Sequence, residues 1–196
     1  MTSLPQLVGL IGRKGAGKDT AAEVLLSAGY ENVKFAGALK DMIRSLLAYQ
    51  GVEVEVIERM VEGDLKEVPT PYLAGRTPRY AMQTLGTEWG RDQIADDLWV
   101  GTAIRRAGNF DKVVITDVRF PNEKTAVDEA GGVCVGITAN WITAAEGEHA
   151  SEALIDEIIE RLPDAHKITN LRAAPGRTRE AIEEFHQRFL KLLSNL

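Results

Sequence analysis

Apolar and polar positions fall into two rhythms along this chain. Short, nearly continuous apolar runs appear at Leu7-Val8-Gly9-Leu10-Ile11, at Val113-Val114-Ile115 within 112–116, and from Val133 to Ile137. Runs of that length, bounded by glycine or charge, predict strands buried on both faces. Asn32 to Phe35 and His166 to Thr169 read as two shorter strands. Between them the period lengthens to that of a helix. Leu39, Ile43, Leu46 and Leu47 line one side of a helix predicted over Ala38 to Tyr49. Further helices are predicted over Lys18 to Ser27, Val52 to Glu62, Trp89 to Ile94, Leu98 to Arg106, Ser151 to Leu162 and Thr178 to Leu193. Thr77-Pro78 is a helix start, Thr at the cap and Pro in the first turn, for a helix running to Leu85. Pro121 to Ala130 is another, closed by Gly131-Gly132. Two loops are expected: Glu62 to Arg76, read as mobile from its prolines, glycines and mixed charge, and Trp141 to Glu148. Strands alternating with helices imply an α/β fold, a parallel sheet with helices on both faces.

The 196 residues suffice for one domain with a substantial core, and no repeat, low-complexity tract or linker divides them. A net charge of -6 argues against sequence-independent nucleic-acid binding, which needs a basic surface, so no direct nucleic-acid contact is expected. It leaves room for small phosphorylated ligands in a local basic pocket. Cys134 is the one cysteine, set in an apolar run, so it reads as a small buried hydrophobe and no internal disulfide can form. No apolar run is long enough to span a membrane, and Leu7 to Ile11 is too short for a signal peptide. A cytoplasmic protein is the expectation.

The chemistry starts at Gly12-Arg13-Lys14-Gly15-Ala16-Gly17-Lys18-Asp19-Thr20, which follows a predicted strand and opens a predicted helix. That is the context a phosphate-binding loop requires. Glycines let backbone N–H groups turn inward toward phosphate oxygens, and the helix N-terminus favours an anion. Lys18 would reach the outer phosphates of a nucleoside triphosphate. Asp19 stands where a hydroxyl residue usually follows the lysine, and an Asp can hold Mg2+ directly or through water. Thr20 is then available to an inner phosphate.

Two other groups of residues fit an acceptor. Asp117 ends an apolar strand and can hold a metal-bound water or orient the acceptor, and Arg119 offers a bidentate fork to phosphate. The plainer reading of Arg119 is a surface ion pair with Glu123. Arg76, Arg79, Gln83, Gly86, Thr87, Trp89 and Arg91 crowd one short stretch. Arg79 and Gln83, four apart, share a helix face and suit a monophosphate and a base edge, while Gly86 permits close backbone approach. Trp89 or Trp99 offers a ring to stack on, although each can equally be core. His149, ahead of Ser151 and Glu152, is either catalytic or a helix cap; His166 and His186 carry no pattern and read as surface or structural.

Four blocks in order, Gly15 to Thr20, Thr77-Pro78-Arg79 through Gln83 to Glu88, Asp117 to Glu123, and His149-Ala150-Ser151-Glu152, make the sequence resemble the deoxynucleoside monophosphate kinases of tailed bacteriophages. The resemblance implies a P-loop NTPase fold of the nucleoside-monophosphate-kinase type and transfer from ATP, with Mg2+, to a dNMP in the host cytoplasm. It implies a homodimer with small-molecule nucleotides as its partners. It implies a single domain over 1–196, with a helical acceptor-binding insertion at about 38–106 and a lid-like loop at about 138–150. By position Arg13, Lys14, Gly15, Gly17, Lys18, Asp19 and Thr20 would hold ATP, with Asp19 and Asp117 at the metal. Lys40, Arg79, Gln83, Gly86, Thr87, Trp89, Trp99, Asp117, Arg119 and Glu123 would hold the dNMP, and Lys18, Arg79, Asp117 and Arg119 would carry catalysis. Related kinases close an arginine-bearing lid; Thr138 to Glu148 has no Lys or Arg, so that charge is expected from Arg13 or Lys14 together with Arg119 and Arg79. A kinase of a non-nucleotide phosphorylated metabolite is the alternative within the enzymes, and a regulatory nucleotide-binding module or an inactive scaffold the alternatives outside them.

Overall fold

The computed structural model describes residues 4–142, 150–171 and 178–196, with the side chains of 150–153 left aside. The chain resolves into two compact units, 1–34 with 104–196, and 35–103.

The first unit is built on a five-stranded parallel sheet. Its strands are β1 (Leu7–Ile11), β2 (Glu31–Val33), β3 (Val113–Val118), β4 (Val133–Ala139) and β5 (Lys167–Asn170), in the order β2-β3-β1-β4-β5. All neighbouring pairs are parallel. β1 sits at the centre and is buried throughout, which is why it carries no polar residue. Successive side chains point to opposite faces. On one face Val8, Leu10, Val114, Val135 and Ile137 pack with Leu25 of α1 (Lys18–Ser27) and with Phe185 and Phe189 of α8 (Thr178–Leu193). On the other, α6 (Pro121–Glu129) presses Val127 toward Gly9, and α7 (Ala150–Arg161) presses Ile159 toward Gly136. A Cβ on Gly9 would lie 2.8 Å from the Cys134 sulfur, so the central strand has a glycine where the sheet meets α6. This is an α/β P-loop NTPase fold with helices on both faces of the sheet.

The second unit, 35–103, holds α2 (Gly37–Tyr49), α3 (Val54–Val61), α4 (Pro78–Thr84) and a ten-residue π-helix, Leu85–Ile94. α5 (Leu98–Ala107) crosses the boundary between the units. The second unit's core joins Leu39, Ile43 and Leu47 of α2 to Ile57, Met60 and Val61 of α3, Met82 of α4, and Trp99.

Several expectations change in detail. The first short strand lies at Glu31–Val33, one residue earlier than expected at its start and two at its end, because Phe35 turns into the second unit. The stretch from Glu62 to Arg76, expected to be a mobile loop, forms two 3-10 turns, Asp64–Glu67 and Pro71–Leu73. Leu65 and Leu73 pack against the core, and Thr70, buried, exchanges backbone bonds with Arg76 and Gly75. Thr77 caps α4 as expected, its hydroxyl accepting from the Tyr80 N–H at 3.1 Å. Beyond Thr84 the chain does not break and restart at Trp89. It widens into the π-helix, with the Ala95 N–H bonded to the Gly90 carbonyl.

Candidate functional site

The carboxyl ends of parallel strands share one edge of a sheet, and the loop after β1 emerges there between the ends of β3 and β4. Gly12 is pressed against β4: a Cβ there would lie 2.6 Å from the Ile137 carbonyl oxygen. Gly15 and Gly17 have φ of 80° and 105°, in the left-handed region that a side chain resists. These turns lead to the start of α1, where Lys18 begins the helix. The Lys18 ammonium donates to the carbonyls of Gly12 at 2.6 Å and Arg13 at 2.9 Å, bracing the loop from within. Asp19 is exposed on the first turn and Thr20 is half-buried beside it. A second brace was not visible in the sequence. Asn170, the last residue of β5, donates its amide N–H to the Ala16 carbonyl at 3.2 Å and crowds Gly17 from outside. The nearest sequence signal was only a polar residue ending a short strand. His186 on α8 bonds the Thr20 carbonyl at 2.7 Å and His166 the Cys134 carbonyl at 3.1 Å, so both are structural, as expected.

Beside the loop, β3 runs one residue past Asp117, to Val118, so Asp117 lies inside the strand instead of ending it. Its register with β1 slips by one residue between Gly9 and Ile11, which sets Thr116 and Asp117 together opposite Leu10. Such a slip re-aims a side chain. Asp117 and Arg119 are both half-buried at the edge where the phosphate loop emerges. Glu123 is almost fully buried, and its carboxylate accepts from the backbone N–H of Arg119 at 2.7 Å and of Phe120 at 3.1 Å. It fixes the start of α6 and the backbone that carries Arg119, a duty different from the ligand contact expected of it.

Arg13 also differs from expectation. Its guanidinium grips Asp156 of α7 with two nitrogens, Nε at 2.9 Å from Oδ1, and its side chain is 14% exposed. In this structure it ties the phosphate loop to α7, because a carboxylate stands in reach, while Lys14 is exposed. A cavity of ≈ 160 Å³ lies there, walled by Ala16, Ile137, Ile142 and Ile159 with the Arg13–Asp156 pair. His149 and most of the expected lid, 143–149, lie outside the described residues.

The expected acceptor residues of the second unit form a set of their own. Lys40 of α2 bonds both oxygens of Glu62, at 2.9 and 2.8 Å, and Arg79 of α4 pairs with Glu67. Gln83 and Thr87 are exposed, and Trp89 is 37% exposed. Trp99 belongs to the core instead of presenting a stacking face: it is 5% exposed, and its indole N–H donates to the Gly86 carbonyl at 2.8 Å. The rings of Trp89 and Trp99 lie 6.1 Å apart. The glycine that this packing demands is Gly90, where a Cβ would fall 2.4 Å from the Trp99 nitrogen. At Gly86 a Cβ would meet only a Leu39 methyl at 3.4 Å.

Fold and loop together form a strand, glycine loop and helix of the phosphate-binding type. No family model matches the chain. A relative from Acanthamoeba polyphaga mimivirus, provisionally named a deoxynucleotide monophosphate kinase, is 28% identical over 204 aligned positions that take in 96% of each protein. Two solved structures align over nearly the whole of both chains. TT1252 from Thermus thermophilus has 17% identity over 96% of this chain and 98% of its own, with a TM-score of 0.46. Dephospho-CoA kinase from Campylobacter jejuni has 12% identity over 97% of this chain and 96% of its own, also with a TM-score of 0.46. Among the described residues no helix is long and apolar enough to cross a membrane.

Proposed function

We propose that this protein is a kinase that transfers the γ-phosphoryl group of ATP to a deoxynucleoside 5'-monophosphate. The observation that carries the reading is Lys18, held at a helix start inside a loop whose glycines have left-handed backbone. The mimivirus relative, matched over 96% of both proteins, supports the acceptor class. Lys40, Arg79, Gln83, Thr87 and Trp89 give the second unit cations, an amide, a hydroxyl and a ring of the kind that a phosphate, a sugar and a base would use.

In-line phosphoryl transfer needs little covalent help, since the acceptor phosphate oxygen is already a nucleophile near neutral pH. The work is alignment and neutralisation of two anions. Lys18 would leave the carbonyls of Gly12 and Arg13 for the β- and γ-phosphates, and the loop N–H groups would hold the same oxygens. Asp19, exposed one residue after Lys18, fits a magnesium ion carried mainly by nucleotide phosphates, with Asp117 as a second carboxylate. Magnesium bound with ATP would supply neutralisation of phosphate charge. Arg119 would spread charge on the transferring group, on a backbone that Glu123 fixes.

The test is ADP release with ATP and Mg2+ against dAMP, dCMP, dGMP, dTMP and their ribose counterparts, with Lys18→Ala as control. Release that requires a deoxynucleotide and disappears in the control supports the proposal. A folded, ATP-binding protein that transfers to none of them refutes it and turns attention to non-nucleotide phosphomonoesters.

A further inference from the structure

The 3-10 turn Asp64–Glu67 carries a cation that no motif singled out. Lys66 is half-buried, next to Leu65, which packs against the core of the second unit. Among the described residues no carboxylate lies within ion-pair distance of its ammonium. The turn is tied to two other cations through carboxylates that flank Lys66 in sequence: Glu62 holds Lys40 of α2, at 2.8 Å, and Glu67 holds Arg79 of α4. Three positive groups from three elements of one unit thus gather around two resident carboxylates. The gathering is felt electrically. Burial, then Lys40, then Arg79, push the Lys66 ammonium below its ordinary value, and Glu62 and Glu67 only partly offset them. A half-buried ammonium that makes no ion pair and lies near two other cations favours an incoming anion.

We propose that Lys40, Lys66 and Arg79 form one phosphomonoester-binding site in which Glu62 and Glu67 act as internal competitors for the anion. A phosphate dianion entering the cluster takes the unpaired Lys66 first and displaces the carboxylates from Lys40 and Arg79. The carboxylates then set a threshold: an anion weaker than a dianionic phosphate does not repay their displacement. The site is open to solvent at Arg79, 43% exposed, and at Glu67, 63% exposed, so the exchange needs only side-chain rotation. The inference rests on the kinase reading in taking the visiting anion to be the 5'-phosphate of the acceptor nucleotide, and it makes Lys66 a binding residue for it.

Calorimetric titration of the full chain with inorganic phosphate, and separately with each dNMP, tests the cluster directly. Lys66→Met should weaken both by roughly 10- to 100-fold, the range for losing a hydrogen bond to a charged group. Glu67→Gln should tighten both by roughly two- to fivefold, since an exposed ion pair is worth at most about 1 kcal/mol. A residue with a merely structural part would give no gain on removing a carboxylate. Unchanged phosphate affinity in Lys66→Met, or weaker binding in Glu67→Gln, overturns the proposal. The two readings fail separately. Lys66-dependent phosphate binding without dNMP phosphorylation sinks the kinase acceptor and keeps the cluster. Phosphorylation of a dNMP with an acceptor KM indifferent to Lys66→Met sinks the cluster and keeps the kinase.

Discussion

Gly90→Ala should destabilise the second unit even though alanine is the better helix former. The substitution gains up to about 1 kcal/mol from helix propensity. Against this, the new Cβ would lie 2.4 Å from Trp99 Nε1 and 2.6 Å from Cε2 and Cζ2, inside the van der Waals envelope of a ring that is 5% exposed. The indole must move, and overpacking of that kind costs about 1–3 kcal/mol. Moving it breaks the 2.8 Å bond to the Gly86 carbonyl, and a buried unpaired donor costs about 1–3 kcal/mol more. The net loss is about 1–6 kcal/mol. Gly86→Ala is the internal control: its Cβ meets a single methyl at 3.4 Å, so it should be neutral or stabilising by up to about 1 kcal/mol. Urea unfolding followed by far-ultraviolet circular dichroism separates the two. Pairing Gly90→Ala with Trp99→Phe should recover part of the loss, because the crowded ring edge is gone. A Gly90→Ala protein as stable as the parent, or losses that simply add in the double variant, would refute the packing argument.

Other outcomes are expected. Arg119→Ala should lower turnover with dNMP by roughly 10^3-fold or more while leaving ATP affinity within a small factor, as for other charge-stabilising arginines; an unchanged kcat removes Arg119 from catalysis. Glu123→Ala strands two backbone donors at the start of α6 and should cost about 1–3 kcal/mol in unfolding free energy, with Glu123→Gln recovering part of it; equal stability of all three proteins would contradict the capping role. Burial pushes the Cys134 thiol up to about 12, so native protein should resist thiol reagents near pH 8 and react once unfolded. The folded state keeps a proton that the unfolded state releases, so stability falls as pH rises from about 9 toward 12. The gap between parent and Cys134→Ala unfolding curves should change across that window, on top of the same-signed contribution of buried Tyr30.

What the sequence disclosed follows from where its signals are local. The helix over Lys18–Ser27 and the last, Thr178–Leu193, were legible to the residue because a glycine turn or a sustained amphipathic period marks them. The phosphate loop was legible because only glycine suits its backbone and only lysine its charge. The π-helix was not: over ten residues a period slightly longer than 3.6 is indistinguishable from two short α-helices, one ending at Leu85 and the next starting at Trp89. Trp99 could not be told from Trp89, since composition is blind to which ring the core claims. Arg13 and Asp156 are 143 positions apart, and no spacing rule joins them. Lys66 was hidden because charge in a supposed loop reads as solvated surface, and only the packing of Leu65 and Leu73 makes that loop a wall.

The crowding at Gly12 and Gly17 bears on how such loops are read at all. Gly12 has no side chain because the Ile137 carbonyl occupies the space, and Gly17 because of its backbone turn and the Asn170 amide. Backbone turn and neighbouring atoms hold both positions to glycine with no nucleotide bound. A search that scores the glycines of this motif is therefore scoring architecture. The evolutionary trace of use is carried by Lys18, whose ammonium the architecture could replace with any group able to bridge two carbonyls. Relatives that no longer bind phosphate should keep the glycines and drift at the lysine first.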